Sequence, residues 1–93
     1  MRYSVRLNDQ AAEDLADIVS FIARDNPSAA EKLGLGLVET AFSLATFPYR
    51  GQQMKSRPRA RKLIYGKYLI VYEVREGDRH VEILRFLHGA RIR

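Results

Sequence analysis

From Arg2 to Leu7 apolar and polar residues alternate, with Tyr3, Val5 and Leu7 on one side and Arg2, Ser4 and Arg6 on the other. That period of two predicts a short, half-buried strand. The period then lengthens: Ala11, Leu15, Ile18 and Ile22 form one helical stripe, widened by Ala12 and Val19. Asn8 or Asp9 is placed to cap this helix, and Glu13, Asp14 and Asp17 fall outside the stripe, facing water. Asp25-Asn26-Pro27-Ser28 closes it and opens a second helix. Either Asn26 caps with Pro27 in the first turn, or Ser28 caps with Glu31 reciprocating. The second stripe runs Ala30, Leu33, Leu37, Ala41 and Leu44, with Val38, Phe42 and Ala45 beside it, until Pro48. Gly34 and Gly36 inside it cost about 1 kcal/mol each relative to alanine, so a close approach to the first helix or a local irregularity is expected there.

Residues 49–60 have little apolar content and read as a surface loop. Strand patterning returns at Arg61–Tyr65, turns at Gly66-Lys67, and continues through Tyr68–Arg75. Tyr68, Ile70, Tyr72 and Val74 share one face of that strand, Leu69 and Val71 the other. Because both faces are apolar, partial cover of the second face is expected. Glu76-Gly77-Asp78 makes the next turn, and His80–Leu87 is a last strand, followed by the tail 88–93. The predicted order is β-α-α-β-β-β. This is an α+β fold: an antiparallel sheet with the N-terminal helical hairpin packed on one face. Residues 1–93 suffice for a single domain.

Charge changes the picture more than composition does. Residues 1–49 hold four bases against seven acids, −3, whereas residues 50–93 hold twelve bases against four acids, +8. Between Arg50 and Lys67 there are seven bases and no acid. Such a one-signed surface suits nucleic acid or an acidic protein. With no cysteine and two histidines, His80 and His88, neither a disulfide framework nor a zinc site is expected, and no cofactor is implied. His80 reads as a turn-edge residue without consequence. The first residues lack a signal pattern and no apolar run is long enough to span a bilayer, which predicts a cytoplasmic protein.

The chain resembles the RelE/ParE superfamily of toxins over essentially its whole length. The stretches that carry the likeness are Ala12-Glu13-Asp14-Leu15 through Ile22-Ala23, Asn26-Pro27 with Ala29-Ala30, and Phe47-Pro48-Tyr49-Arg50-Gly51. Further on come Arg61-Lys62-Leu63, Tyr68-Leu69-Ile70-Val71-Tyr72, and Val81-Glu82-Ile83-Leu84-Arg85 closing on Leu87-His88-Gly89-Ala90-Arg91. The resemblance implies the toxin of a type II toxin–antitoxin pair, neutralised by a cognate antitoxin with an acidic, amphipathic C-terminal segment. Contact with operator DNA would then run through the antitoxin. It also implies one of two targets, DNA gyrase for ParE-like members or messenger RNA on the ribosome for RelE-like members.

In the nuclease reading, Arg61 and Arg85 stabilise the scissile phosphate and His88 is the acid–base group of a metal-independent endoribonuclease. In the gyrase reading the protein is not an enzyme. Lys55, Arg57, Arg59, Arg61, Arg85, His88 and Arg91 are then target-binding residues. The tail lacks the tyrosine that several nuclease members carry and the chain offers no acid–base pair beyond one histidine, which favours gyrase. A non-toxic nucleic-acid-binding module is a third reading. It lacks a GXXG loop, an RNP-type aromatic pair or a zinc pattern.

Overall fold

The computed structural model describes residues 2–89. Strand β1 (Ser4–Leu7) leads into α1 (Asp9–Ala23) and α2 (Pro27–Phe42), followed by β2 (Gln52–Gln53), β3 (Ala60–Tyr65), β4 (Tyr68–Arg75) and β5 (His80–His88). Asn8 caps α1, its side-chain oxygen accepting from the Ala11 N–H at 2.8 Å. At the second helix Asn26 is the cap, accepting from Ala29 N–H at 3.1 Å with Pro27 in the first turn, so the Ser28 alternative is not used. Helix α2 ends at Phe42, and a single 3₁₀ turn, Ser43–Ala45, carries the chain towards Pro48.

The expected element order and helical hairpin are present, and two details extend them. The sheet runs β1-β5-β4-β3-β2. Strand β1 joins it parallel to β5, so the sheet is mixed, and the C-terminal meander stays antiparallel. The segment read as a plain loop contains β2, a two-residue strand on the outer edge of β3. Its glutamines carry no apolar alternation, so no sequence period announces it. The β3–β4 turn has Gly66 at φ +58, the left-handed region that glycine enters without a steric penalty.

One face of the sheet carries the core. Ile70 and Tyr72 of β4, Val81, Ile83 and Phe86 of β5, and Ala11, Leu37, Ala41 and Leu44 from the helical layer are its buried members. Strict alternation would turn Phe86 away from Ile83. A bulge prevents this: Val71 pairs with Arg85 and Tyr72 with Ile83, so Leu84 is an extra residue on β5 and the strand changes parity. The glycines of α2 are explained by close approach on two sides. A Cβ at Gly34 would meet Val19 of α1 at 3.0 Å, whereas at Gly36 it would strike the Tyr65 hydroxyl of β3. Only Gly34 serves the contact between the helices. Among the described residues no helix is long and apolar enough to cross a membrane, and no cluster of possible metal ligands occurs.

Candidate functional site

Strands β1, β3 and β5 begin at one end of the sheet, where β4 finishes, and four basic segments gather there. Arg61, the second residue of β3, stands opposite Tyr72. Its guanidinium donates to the carbonyls of Gly51 (2.8 Å) and Tyr49 (3.2 Å) and lies 5.1 Å from the centre of the Tyr49 ring. The Tyr72 hydroxyl, buried in the core, donates to the Pro48 carbonyl at 2.7 Å and accepts from the Gly51 N–H at 2.9 Å. Arg61 and Tyr72 thus hold the turn 48–51 from two sides. The phenols of Tyr49 and Tyr3 both donate to Glu76, the latter at 2.7 Å. Those two hydrogen bonds, Tyr49's first, hold the Glu76 carboxyl below its ordinary value, and the bond to Glu76 pushes the Tyr49 phenol up to about 12. Arg79 stands over the Tyr3 ring at 5.5 Å, with its own backbone in the left-handed region at φ 48.

Lys55, Arg57 and Arg59 are exposed on the connection between β2 and β3. That connection is held by Met54 N–H to the Ala60 carbonyl (3.0 Å) and by the Gln53 side-chain amide to the Pro58 carbonyl (2.6 Å). At the opposite end of the sheet, His88 pairs across from Tyr68, the two rings meeting edge to face at 5.3 Å. Two grooves flank that pair. One, of about 510 Å³, runs along Ile64, Gly66 and Leu69; the other, of about 520 Å³, lies between Lys67 and Asp17, Ile18, Phe21 and Ile22 of α1. Arg91 lies outside the described residues.

Arg85 belongs to a different arrangement. Beyond Leu7 the edge of β5 has no strand beside it, and α1 takes its place. Asp14 accepts from the Phe86 backbone N–H at 3.1 Å and from Arg85 Nε and Nη2 at 2.7 and 3.1 Å. Burial acts to raise the Asp14 pKa, but the bonds from Arg85, Gln10 and Phe86 outweigh it, and the carboxyl sits below its ordinary value. The expectation that Asp14 faces water is therefore corrected: it is 8 % exposed. Its position three residues after Ala11 and four before Ile18 puts it on the margin of the apolar stripe, a signal the sequence did carry.

His80 is corrected in the same way. Its Nε2 donates to buried Glu82 at 2.7 Å and its Nδ1 meets Ser4 Oγ at 3.0 Å, while Arg6 donates to the other Glu82 oxygen at 2.8 Å. Burial pushes the Glu82 carboxyl up, and the His80 and Arg6 contacts more than offset this, leaving it below its ordinary value. The group stitches β1 to β5 on the face away from the helices.

The three residues of the nuclease reading are not brought together. By strand register, Arg61 and His88 are four β4 positions apart and on opposite flanks of that strand, about 13 Å along the sheet and about 10 Å across it. Arg61 and Arg85 stand in adjacent register on those same two flanks, but one guanidinium is held by the turn 48–51 and the other by α1.

A helical hairpin on a small mixed sheet with this cationic strand end defines a small α+β domain. The structure superposes on the chromosomal ParDE toxin–antitoxin system of P. aeruginosa with a TM-score of 0.80, at 22 % identity over 94 % of this chain and 96 % of that one. It superposes on the toxin–antitoxin complex RelBE2 of Mycobacterium tuberculosis at 0.76, with 25 % identity over 95 % and 99 % of the two chains. In sequence, the toxin RelE2 of Caulobacter vibrioides is 35 % identical over 83 residues, 89 % of this chain and 91 % of that protein. The family described as the ParE toxin of type II toxin–antitoxin system, parDE, matches residues 5–93. The chain belongs to that family: it is a type II toxin of the RelE/ParE superfamily.

Proposed function

We propose that this toxin arrests growth as a non-enzymatic poison of DNA gyrase in the cytoplasm, held in check by a cognate antitoxin. The observation that supports this most is the disposition of the candidate catalytic residues. In-line cleavage of RNA needs phosphate-binding cations and an acid–base group around one phosphodiester, within hydrogen-bond reach of it. Arg61 and Arg85 are instead committed to backbone carbonyls and to Asp14, and His88 lies at the other end of the sheet. Antitoxin capture fits the grooves at that end, where an amphipathic segment would bury its apolar side against Ile64, Leu69 and Phe21 and lay acids beside Lys67.

The name RelE2 on the Caulobacter relative favours a second reading, ribosome-dependent cleavage of messenger RNA, with Lys55, Arg57 and Arg59 as the exposed cations. Induction of the toxin alone, followed by pulse labelling of DNA, RNA and protein synthesis, separates the two. An early stop in DNA synthesis with filamentation and broken chromosomes is expected. An immediate halt in translation, with new 5′ ends inside messages, would replace the gyrase reading with the nuclease one.

A further inference from the structure

The seam between β1 and β5 carries a chain of polar groups that neither reading of the toxin uses. Ser4 pairs with His80 in the parallel register and Arg6 with Glu82, opposite in parity to the core residues Val5, Val81 and Ile83. Glu82 is buried and its carboxyl lies below its ordinary value, so at neutral pH it is a carboxylate and can only accept. The 2.7 Å contact with His80 therefore places the proton of the neutral imidazole on Nε2. That leaves a lone pair on Nδ1, and the Ser4 hydroxyl, 3.0 Å away, donates to it. The competing acceptor for Ser4, the Arg79 carbonyl, is farther off at 3.5 Å. A hydroxyl donating to a ring nitrogen whose far side is held by a buried carboxylate is the arrangement of an activated nucleophile.

From this geometry we propose that Ser4 is an acyl-acceptor nucleophile towards small activated esters, with His80 as its general base and Glu82 as the positioning residue. In the step, His80 Nδ1 takes the hydroxyl proton as the Ser4 oxygen bonds to the carbonyl carbon of the ester. The adduct collapses by breaking the bond to the leaving oxygen, which departs with the electron pair, and the proton on His80 passes to that oxygen or to water. The product is an ester on Ser4, one acyl group per chain, so the reaction is a self-modification. Arg6 stands two residues along the same strand face, about 7 Å on. One of its N–H groups is committed to Glu82, and the guanidinium supplies positive charge beside the developing oxyanion. The accessibilities suit these roles. Ser4 and Arg6 are exposed, so the reacting carbonyl arrives from open solvent, whereas the side chains of His80 and Glu82 are 18 % and 5 % accessible and are held in place. An open face favours a small ester whose good leaving group drives the reaction. The inference goes beyond growth arrest and does not rest on the gyrase reading.

The test is release of p-nitrophenolate from p-nitrophenyl acetate by the purified toxin, with peptide mass spectrometry to locate the acetyl group. A burst approaching one equivalent per chain is expected, with the acetyl group on Ser4. Ser4→Ala should abolish the burst, and His80→Gln should slow it about 100-fold or more, each with its fold checked by circular dichroism. The role of Glu82 is read by long-range ¹H–¹⁵N NMR of the neutral imidazole, which should show the proton on Nε2. In Glu82→Gln the amide offers a donor as well as an acceptor, so the two tautomers should mix and the burst should slow with them. A proton found on Nδ1 in the wild-type protein would overturn the proposal, whether or not the Glu82 variant folds. So would a burst unchanged in folded Ser4→Ala or His80→Gln, the absence of any burst, or acetyl groups confined to lysines and the N-terminus. Neither gyrase nor ribosome enters the assay, so its failure leaves the gyrase reading where it stands.

Discussion

The two ends of the sheet solve opposite problems with the same strands. At the end where β3 and β5 begin, polar groups are paired inside the molecule: Tyr72 with the turn 48–51, Arg61 with two carbonyls, Glu76 with two phenols. At the end where β5 finishes, the surface is apolar and open, with Ile64 66 % exposed and grooves on both sides of Tyr68 and His88. A network of hydrogen bonds fixes shape and leaves charge outside, whereas an open apolar groove gains its free energy when something fills it. The first end is held in shape by its own hydrogen bonds, and the second leaves apolar area open to water.

The sharpest way to break this contrast is to disrupt the preformed end. A Cβ at Gly51 would stand 2.5 Å from the Tyr72 hydroxyl oxygen and 2.8 Å from the Lys62 carbonyl oxygen, so neither side chain nor backbone leaves room for it. Gly51→Ala is expected to cost about 3 kcal/mol in chemical denaturation, at the upper end of overpacking penalties. Retention of wild-type stability would show that the turn 48–51 is loosely held. Asp14→Ala comes next, because it strips Arg85 and the Phe86 N–H of their acceptor at the seam between the two ends. A loss of about 2–3 kcal/mol is expected, lowered from the fully buried case because Arg85 keeps water access.

The Asp14 carboxyl also sets an acid limit. A carboxylate whose folded pKa lies below its unfolded value contributes its full stability above the unfolded value, near pH 4, and loses it as pH falls through the folded value. Glu82 acts in the same direction. Stability should therefore drop on acidification below about pH 4, and Asp14→Asn should flatten that part of the profile. An unchanged profile would mean that the Arg85 contact forms equally with the neutral group.

Comparing these residues with the chain shows why some were legible and others were not. Helices, hairpin and meander follow from periods of 3.6 and 2 and from Asn8, Asn26 and Gly66, all local signals. Asp14 lay at helical spacing on the margin of its stripe, so its burial was accessible to a stricter reading of the wheel. The Leu84 bulge was not, because a strand shows its change of parity only when its partner's register is known. The strand-end cluster is further removed still. Tyr3, Tyr49 and Glu76 are separated by 46 and 27 positions, and only the sheet order, with β5 seated between β1 and β4, brings them together. The same topology keeps Arg61 from His88, two residues that sequence alone set side by side as chemical partners.

A smaller effect sharpens the contrast from inside the preformed end. Tyr72→Phe removes a hydroxyl that accepts from Gly51 and donates to Pro48, while leaving the ring in the core. The Gly51 N–H is then left without its acceptor, and a cost of about 1–2 kcal/mol is expected, a fall of roughly 5–15 °C in Tm for a domain of this size. Hydrogen exchange would localise the change: the Gly51 amide should lose protection while the β4–β5 ladder keeps it. Uniform loss across the sheet would mean the hydroxyl supports the whole core rather than the turn.

The smallest effect is expected at the open end. His88→Ala removes the edge-to-face contact with Tyr68, and pairs of this kind contribute about 0.5–1.5 kcal/mol, the lower figure applying where water reaches both rings, as it does beside these grooves. A Tm shift of only a few degrees should follow. The informative measurement is therefore functional. If His88 lines a docking groove and performs no proton transfer, His88→Ala and His88→Gln should weaken antitoxin binding in parallel while growth arrest by the free toxin persists. If growth arrest disappears in both variants with the fold intact, and returns with no substitution other than histidine, the residue acts through its imidazole. The open end would then hold chemistry as well as a groove.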